Sequence, residues 1–100
     1  MDYLFFMHDD VISGSDAIGD DQWDLYIAKL QQGGHFDGGS AIGGGITLNK
    51  SGAGAKRITR QLTGFLRISA VNIEQAKTLV VGNPVFEAGG TVEIRELTAE

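Results

Sequence analysis

Hydrophobic and polar positions along the chain fall into stretches with different periods. Residues 3–8, "YLFFMH", are apolar almost without a break, as expected of a central strand covered on both sides. "DDVISGSDAIGD" then supplies the Asp, Ser and Gly of a loop. Trp23, Tyr26, Ile27 and Leu30 recur at the three-and-four spacing of one helical face. Asp20 or Asp21 is placed to cap that helix, and Gly33 or Gly34 to end it.

In "HFDGGSAIGGGITLN" strand residues are mixed with glycines, which predicts strands broken by bulges or bends where backbones approach closely. "KSGAGAK" reads as a turn. In "RITRQLTGFLRISAV" the alternation returns, with Leu66, Ile68 and Ala70 on one face and Phe65, Arg67 and Ser69 on the other. Asn72 and Gln75 have capping-box spacing, and Ile73, Ala76, Leu79 and Val80 give a second helix its apolar side. Gly82, Asn83 and Pro84 are read as its stop. "GGTVEIREL" sets Val92 and Ile94 against Glu93 and Arg95 in a last strand.

Strand, helix, one or two strands, helix, strand is the order of an α+β, ferredoxin-like split β-α-β unit, an antiparallel sheet with helices on one face. The other face is left open. Tyr3, Phe5 or their neighbours, together with Phe65, would make it apolar, so burial calls for a second copy packed sheet against sheet, a homodimer.

Composition narrows the functions. At 100 residues and 42% hydrophobic content the chain builds one core, a single domain over residues 1–100. Its net charge is −5, with Asp2, Asp9, Asp10, Asp16, Asp20, Asp21 and Asp24 in the first quarter and Lys50, Lys56, Arg57, Arg60 and Arg67 in an acid-free middle. An acidic protein whose basic stretch lacks interleaved aromatics is a poor nucleic-acid binder. The segregation fits either two solvated patches or a contact between the acidic end of one copy and the basic stretch of another. Without cysteine there is no disulfide or thiolate chemistry. The start lacks a basic flank and a cleavage pattern, and no apolar run has the length of a membrane span, so a soluble cytoplasmic protein with no membrane partner is expected.

The glycines at 33–45 follow a helix and lead into strand, the reverse of a phosphate-cradling loop, and "GITLNKS" lacks the glycine that a Walker motif needs before its lysine. Bending and close packing is the reading retained. No ligand spacing for a metal occurs, and no cofactor is implied. His8 ends the first strand beside Asp9 and Asp10, so an imidazole oriented by Asp9 is a candidate for proton transfer; the alternative is a strand-end histidine without a task. His35, past the helix stop, is expected to face solvent. Arg67 and Glu93, with Arg95 sharing Glu93's parity, put charge on a sheet face destined for burial, where it serves either a small acidic or polar ligand or an ion pair.

The segments "YLFFMHDD", "YIAKLQQGGHFDGGSAIGGG", "GFLRI" and above all "GNPVFEAGGTVEIREL" resemble the YCII-related family, which includes the DGPF proteins. The resemblance implies a dimeric α/β barrel of ferredoxin-like protomers. It also implies small lyases, isomerases or dehydrochlorinases acting on cyclic or aromatic acids without a cofactor. A histidine early in the first helix and an aspartate before the proline after the second helix form a proposed catalytic pair in some relatives. Those positions fall near Trp23 and on Asn83, so the pair is absent, and the DGPF tetrapeptide is missing too. The resemblance leaves Trp23 and Asn83 as an aromatic wall and a hydrogen-bonding group of the equivalent cavity, beside Arg67 and Glu93 as ligand-binding residues. A non-catalytic binding or regulatory protein is the alternative function.

Overall fold

The computed structural model describes residues 1–12, 14, 18–52 and 57–98. Asp16 and Lys56 lie outside them. Seven elements follow in order: β1 (Asp2–His8), α1 (Asp20–Gln32), β2 (Phe36–Ala41), β3 (Leu62–Ser69), α2 (Ile73–Leu79), α3 (Pro84–Glu87) and β4 (Val92–Leu97). The strands form one antiparallel sheet in the order β2-β3-β1-β4. With β1 and β3 in the centre and a helix after each, this is the ferredoxin-like arrangement expected from the sequence.

Strand pairing fixes which residues share a face, because directly opposed residues point the same way. Tyr3, Phe5 and Met7 stand opposite Ile68, Leu66 and Gly64 on β3 and opposite Glu96, Ile94 and Val92 on β4. Tyr3, Phe5, Met7, Leu66 and Ile68, with Tyr26 and Leu30 of α1, Ala76 and Val80 of α2 and its end, and Val85 of α3, form one hydrophobic core, against which Val92 and Ile94 pack. Asp2, Leu4, Phe6 and His8 therefore face away from the helices. The open face is apolar through Leu4, Phe6, Phe65 and Leu97, not through Tyr3 and Phe5, which are buried in the core. β1 is accordingly covered on one side only, alternating half-buried and buried along its whole length.

Local signals account for most element ends. Asn72 caps α2 through its side chain, which accepts from the Gln75 N–H at 2.9 Å, while Gln75 Oε1 accepts from the Val71 N–H at 2.7 Å. α1 is capped differently from the expectation. Gly19 is its N-cap and offers no side chain, so Asp20 and Asp21 sit in the first turn, where their charges favour the exposed N–H groups. Pro84 starts a helix instead of stopping one: it occupies the first turn of α3 and Asn83 is the cap before it.

The glycines of residues 38–39 bend and pack, as the sequence indicated. Gly38 has φ +113°, and the ladder register shifts between Phe36 and Gly39. A Cβ on Gly39 would lie 2.5 Å from the Phe65 carbonyl oxygen and 2.7 Å from Leu66 Cδ2. Since the obstacle is backbone, Gly39→Ala is expected to cost about 1–3 kcal/mol by overpacking and to push β2 off β3. Thermal denaturation, with loss of hydrogen-exchange protection at the Ile42 amide, which donates to the Thr63 carbonyl, checks this; an unchanged midpoint would contradict it.

Candidate functional site

Two concave or polar regions lie on opposite sides of the sheet. On the open face, His8 Nε2 and Glu93 Oε1 are 2.8 Å apart although 85 residues separate them in the chain. Strand pairing makes the contact: Glu93 stands opposite Phe6, and β1 carries His8 two positions on, on the same side. The other carboxylate oxygen, Oε2, accepts from Arg95 at 3.2 Å. Each Glu93 oxygen thus has a cationic or N–H partner, and the carboxyl is held below its ordinary value of 4.5, by the hydrogen bond from His8 first and that from Arg95 second. A carboxylate that accepts from Nε2–H fixes the imidazole ring and leaves Nδ1, which has no hydrogen bond among the described residues, as its basic nitrogen.

The same strand end is tied to β4 by Asp10, whose carboxylate accepts from the Thr91 hydroxyl at 2.6 Å and the Thr91 N–H at 2.8 Å. Those two bonds, with the nearby His8 a smaller influence, hold Asp10 below its ordinary value. Further along the open face Arg67 donates to Asp2 at 2.8 Å. Leu4 lies between Arg67 and Arg95, and Phe6 between Phe65 and Glu93, so the apolar centre is crossed by charge on both sides.

Glu93 gives a pH dependence whose sign is definite. Its folded value lies below its unfolded one, so the stability its contacts contribute is present above about pH 4.5 and is lost as the pH falls through the lowered value. Carboxyl carbon resonances followed by NMR should show Glu93 titrating below ordinary glutamate, and moving upward in His8→Asn. An unshifted Glu93 in the unsubstituted chain would remove the contact.

Behind the sheet, on the helix side, a cleft of about 260 Å³ opens between α1 and the β2–β3 edge. Trp23, Ile27 and Phe36 wall it, Gly39 and Gly64 line it without side chains, and Ser40 and Thr63 complete its rim. None of its lining residues is ionisable. Trp23 stands edge-on to Tyr26, with ring centroids 6.1 Å apart at 69°. The Tyr26 hydroxyl donates to the Leu79 carbonyl at 2.6 Å, and burial pushes the phenol up to about 12, the neighbouring Asn83 amide working against that rise.

The candidate residues therefore separate. His8, Glu93 and Arg67 share the open face, and Trp23 belongs to the cleft on the other side. Asp9 does not orient His8; that place is taken by Glu93, while Asp9 is exposed and its N–H pairs with the Gln61 carbonyl. Asn83 is wholly buried and lines neither region: Oδ1 accepts from the Val85 and Phe86 N–H groups, and Nδ2 meets no partner in hydrogen-bond geometry. His35 is half-buried rather than solvent-facing, with Nδ1 2.8 Å from the Ser69 carbonyl oxygen. Phe36, Ser40 and Thr63 had no sequence signal marking them as cleft residues. Among the described residues no three His, Asp or Glu side chains gather as a metal site, and no helix is long and apolar enough to cross a membrane.

No family model matches the chain, and no curated protein matches it. A solved structure does: 5-chloro-2-hydroxyhydroquinone dehydrochlorinase, TftG, from Burkholderia phenoliruptrix, in complex with 2,5-dihydroxybenzoquinone. The two superpose with a TM-score of 0.62 at 17% identity, over 100% of this chain and 96% of TftG. This chain has the fold of TftG. At that identity the likeness to TftG concerns the path of the backbone and the order of its elements.

Proposed function

We propose that this chain is a small cytoplasmic, YCII-like homodimer that binds a small polar or aromatic metabolite and moves protons on it through His8 without a cofactor. The observation that carries the reading is the 2.8 Å His8–Glu93 contact on a helix-free face that is otherwise apolar at Leu4, Phe6 and Phe65. Packing two such faces together removes the apolar surface from water and encloses the charged groups in a chamber of an α/β barrel. Inside it Glu93 keeps the ring oriented with Nε2 protonated, Nδ1 accepts a proton from a carbon or hydroxyl of the ligand, and the imidazolium returns it elsewhere. Arg67 and Arg95 each have guanidinium N–H groups besides those that donate to Asp2 and Glu93, suited to an anionic substituent. The ring-shaped ligand of TftG is in keeping with a lyase- or isomerase-type reaction on a cyclic compound.

A second reading is favoured by the Trp23 cleft. An apolar slot with no acid or base among its lining residues suits binding without turnover, and its volume suits a single ring. Here the chain would be a binding or regulatory protein, with Trp23 as the aromatic wall. Screening a metabolite library by thermal shift separates the two, since only binding to the native state raises the midpoint. Under the first reading, stabilising compounds exchange protons with solvent and lose their effect in Arg67→Ala. Stabilisation that survives Arg67→Ala, disappears in Trp23→Ala and brings no exchange would overturn the first reading in favour of the second.

A further inference from the structure

His8 stands just past the regular part of β1. On the β3 side the register shifts between Met7 and His8, and on the β4 side the paired residues end at Met7 and Val92. Glu93 is the partner of Phe6, so the His8 ring meets it diagonally across the sheet face. Beyond the paired residues the two strands are joined at this point by the His8 N–H, which donates to the Thr91 carbonyl at 3.0 Å. Thr91 itself precedes the first residue of β4 and follows a turn in which Gly89 has φ +89°.

Asp10 supplies the order that the ladder does not. Its two carboxylate oxygens take both donors of Thr91, the N–H at 2.8 Å and the hydroxyl at 2.6 Å, the second a length typical of a bond to a charged oxygen. A closed path results. It runs from the His8 main chain to the Thr91 main chain, from Thr91 to the Asp10 side chain, and back along two residues to His8. The residues after Asp10 seat on the same turn: a Cβ on Gly90 would lie 3.0 Å from Val11 Cγ2, one on Gly89 would lie 2.6 Å from Ile12 Cδ1, and the Ile12 N–H donates to the Ala88 carbonyl at 3.4 Å.

We infer that Asp10 is the positioning residue of the His8–Glu93 pair: by bridging both donors of Thr91 it holds the start of β4 where Glu93 meets the imidazole. What His8 then does rests on the proposed function. The clasp itself is read without a ligand.

The test is NMR of the whole chain, at a pH high enough for a neutral ring. In the unsubstituted chain Glu93 keeps the proton on Nε2, so the two ring nitrogens of His8 should give well-separated resonances. Asp10→Ala should bring them together as the ring exchanges between tautomers, and should raise the Glu93 titration midpoint toward the ordinary glutamate value. The His8 amide should lose at least about tenfold of its hydrogen-exchange protection. Asp10 and Thr91 are both exposed and outside the core, so the chain should stay folded. Asp10→Asn should keep all three readings, because its amide still accepts from the Thr91 N–H and donates to the Thr91 hydroxyl. An Asp10→Ala chain that melts earlier but keeps all three would overturn the inference, the clasp then being a tie with no hold on the pair. Loss in Asp10→Asn as complete as in Asp10→Ala would overturn it too, since the charge and not the two bonds would be what counts. A chain that answers Asp10→Ala as stated but exchanges protons on no compound sustains the positioning role and overturns the proposed function.

Discussion

A chain with His8→Ala is expected to lose at least about a hundredfold of any proton exchange it catalyses on a bound ligand, while remaining folded and dimeric. The side chain lies on the open face and contributes nothing to the core, so its removal leaves the packing of Phe5, Leu30 and Ile68 intact. Glu93→Gln provides the control for mechanism. It keeps an oxygen near Nε2 but withdraws the charge that fixes which ring nitrogen is protonated, and activity should fall by a smaller factor with a shifted pH profile. Asp9→Asn should leave the rate unchanged, since among the described residues the ring's hydrogen bond goes to Glu93 and none joins it to Asp9. Exchange measured by deuterium incorporation into the ligand separates these outcomes. Full activity in His8→Ala would remove the histidine from the chemistry, and a rate that drops in Asp9→Asn but not in Glu93→Gln would restore the nearer aspartate.

The Asp9 and Glu93 positions show where sequence reading fails and why. Neighbouring residues in an extended chain point to opposite sides, so Asp9, the closest acid to His8 in sequence, is poorly placed to meet it. Glu93 becomes its partner only once β4 lies antiparallel to β1 in a particular register, which no local pattern specifies. The phase of β1 was hidden for a related reason. Tyr3, Leu4, Phe5, Phe6 and Met7 are all apolar, so the run announces a strand without saying which side meets the helices. In β3, by contrast, Arg67 breaks the apolarity and sets Leu66 and Ile68 on the core side, as the structure has them. Asn83–Pro84 carried the signature of a cap followed by a first helical residue, but a single-turn helix has too little periodicity to announce itself. The element order was legible because β3, β4 and both longer helices carry their own period and β1 an unbroken apolar run, while β2, FDGGSA, was read only within a stretch of one or two strands.

The sharpest test of the architecture sets adjacent phenylalanines against each other. Phe5 is fully buried against the helices, and Phe5→Ala is expected to cost about 3–5 kcal/mol, through lost burial and the cavity left behind. Against a total of about 5–15 kcal/mol for a small domain, that leaves a chain partly unfolded at ordinary temperature, seen as a collapsed denaturant midpoint. Phe6 is only half-buried, opposite Phe65 and Glu93 on the open face, and Phe6→Ser should cost the single chain about 1 kcal/mol or less. Its effect should appear in association instead. Sedimentation should find the Phe6→Ser chain monomeric at concentrations where the unsubstituted chain is dimeric, and its melting midpoint should no longer rise with concentration, since only an associating native state links stability to mass action. An unsubstituted chain that stays monomeric, or a Phe6→Ser chain that pairs as before, would mean that the helix-free face does not meet a second copy. His8 and Glu93 would then face bulk water, where a carboxylate and an imidazole in contact make an exposed ion pair and not a site for chemistry.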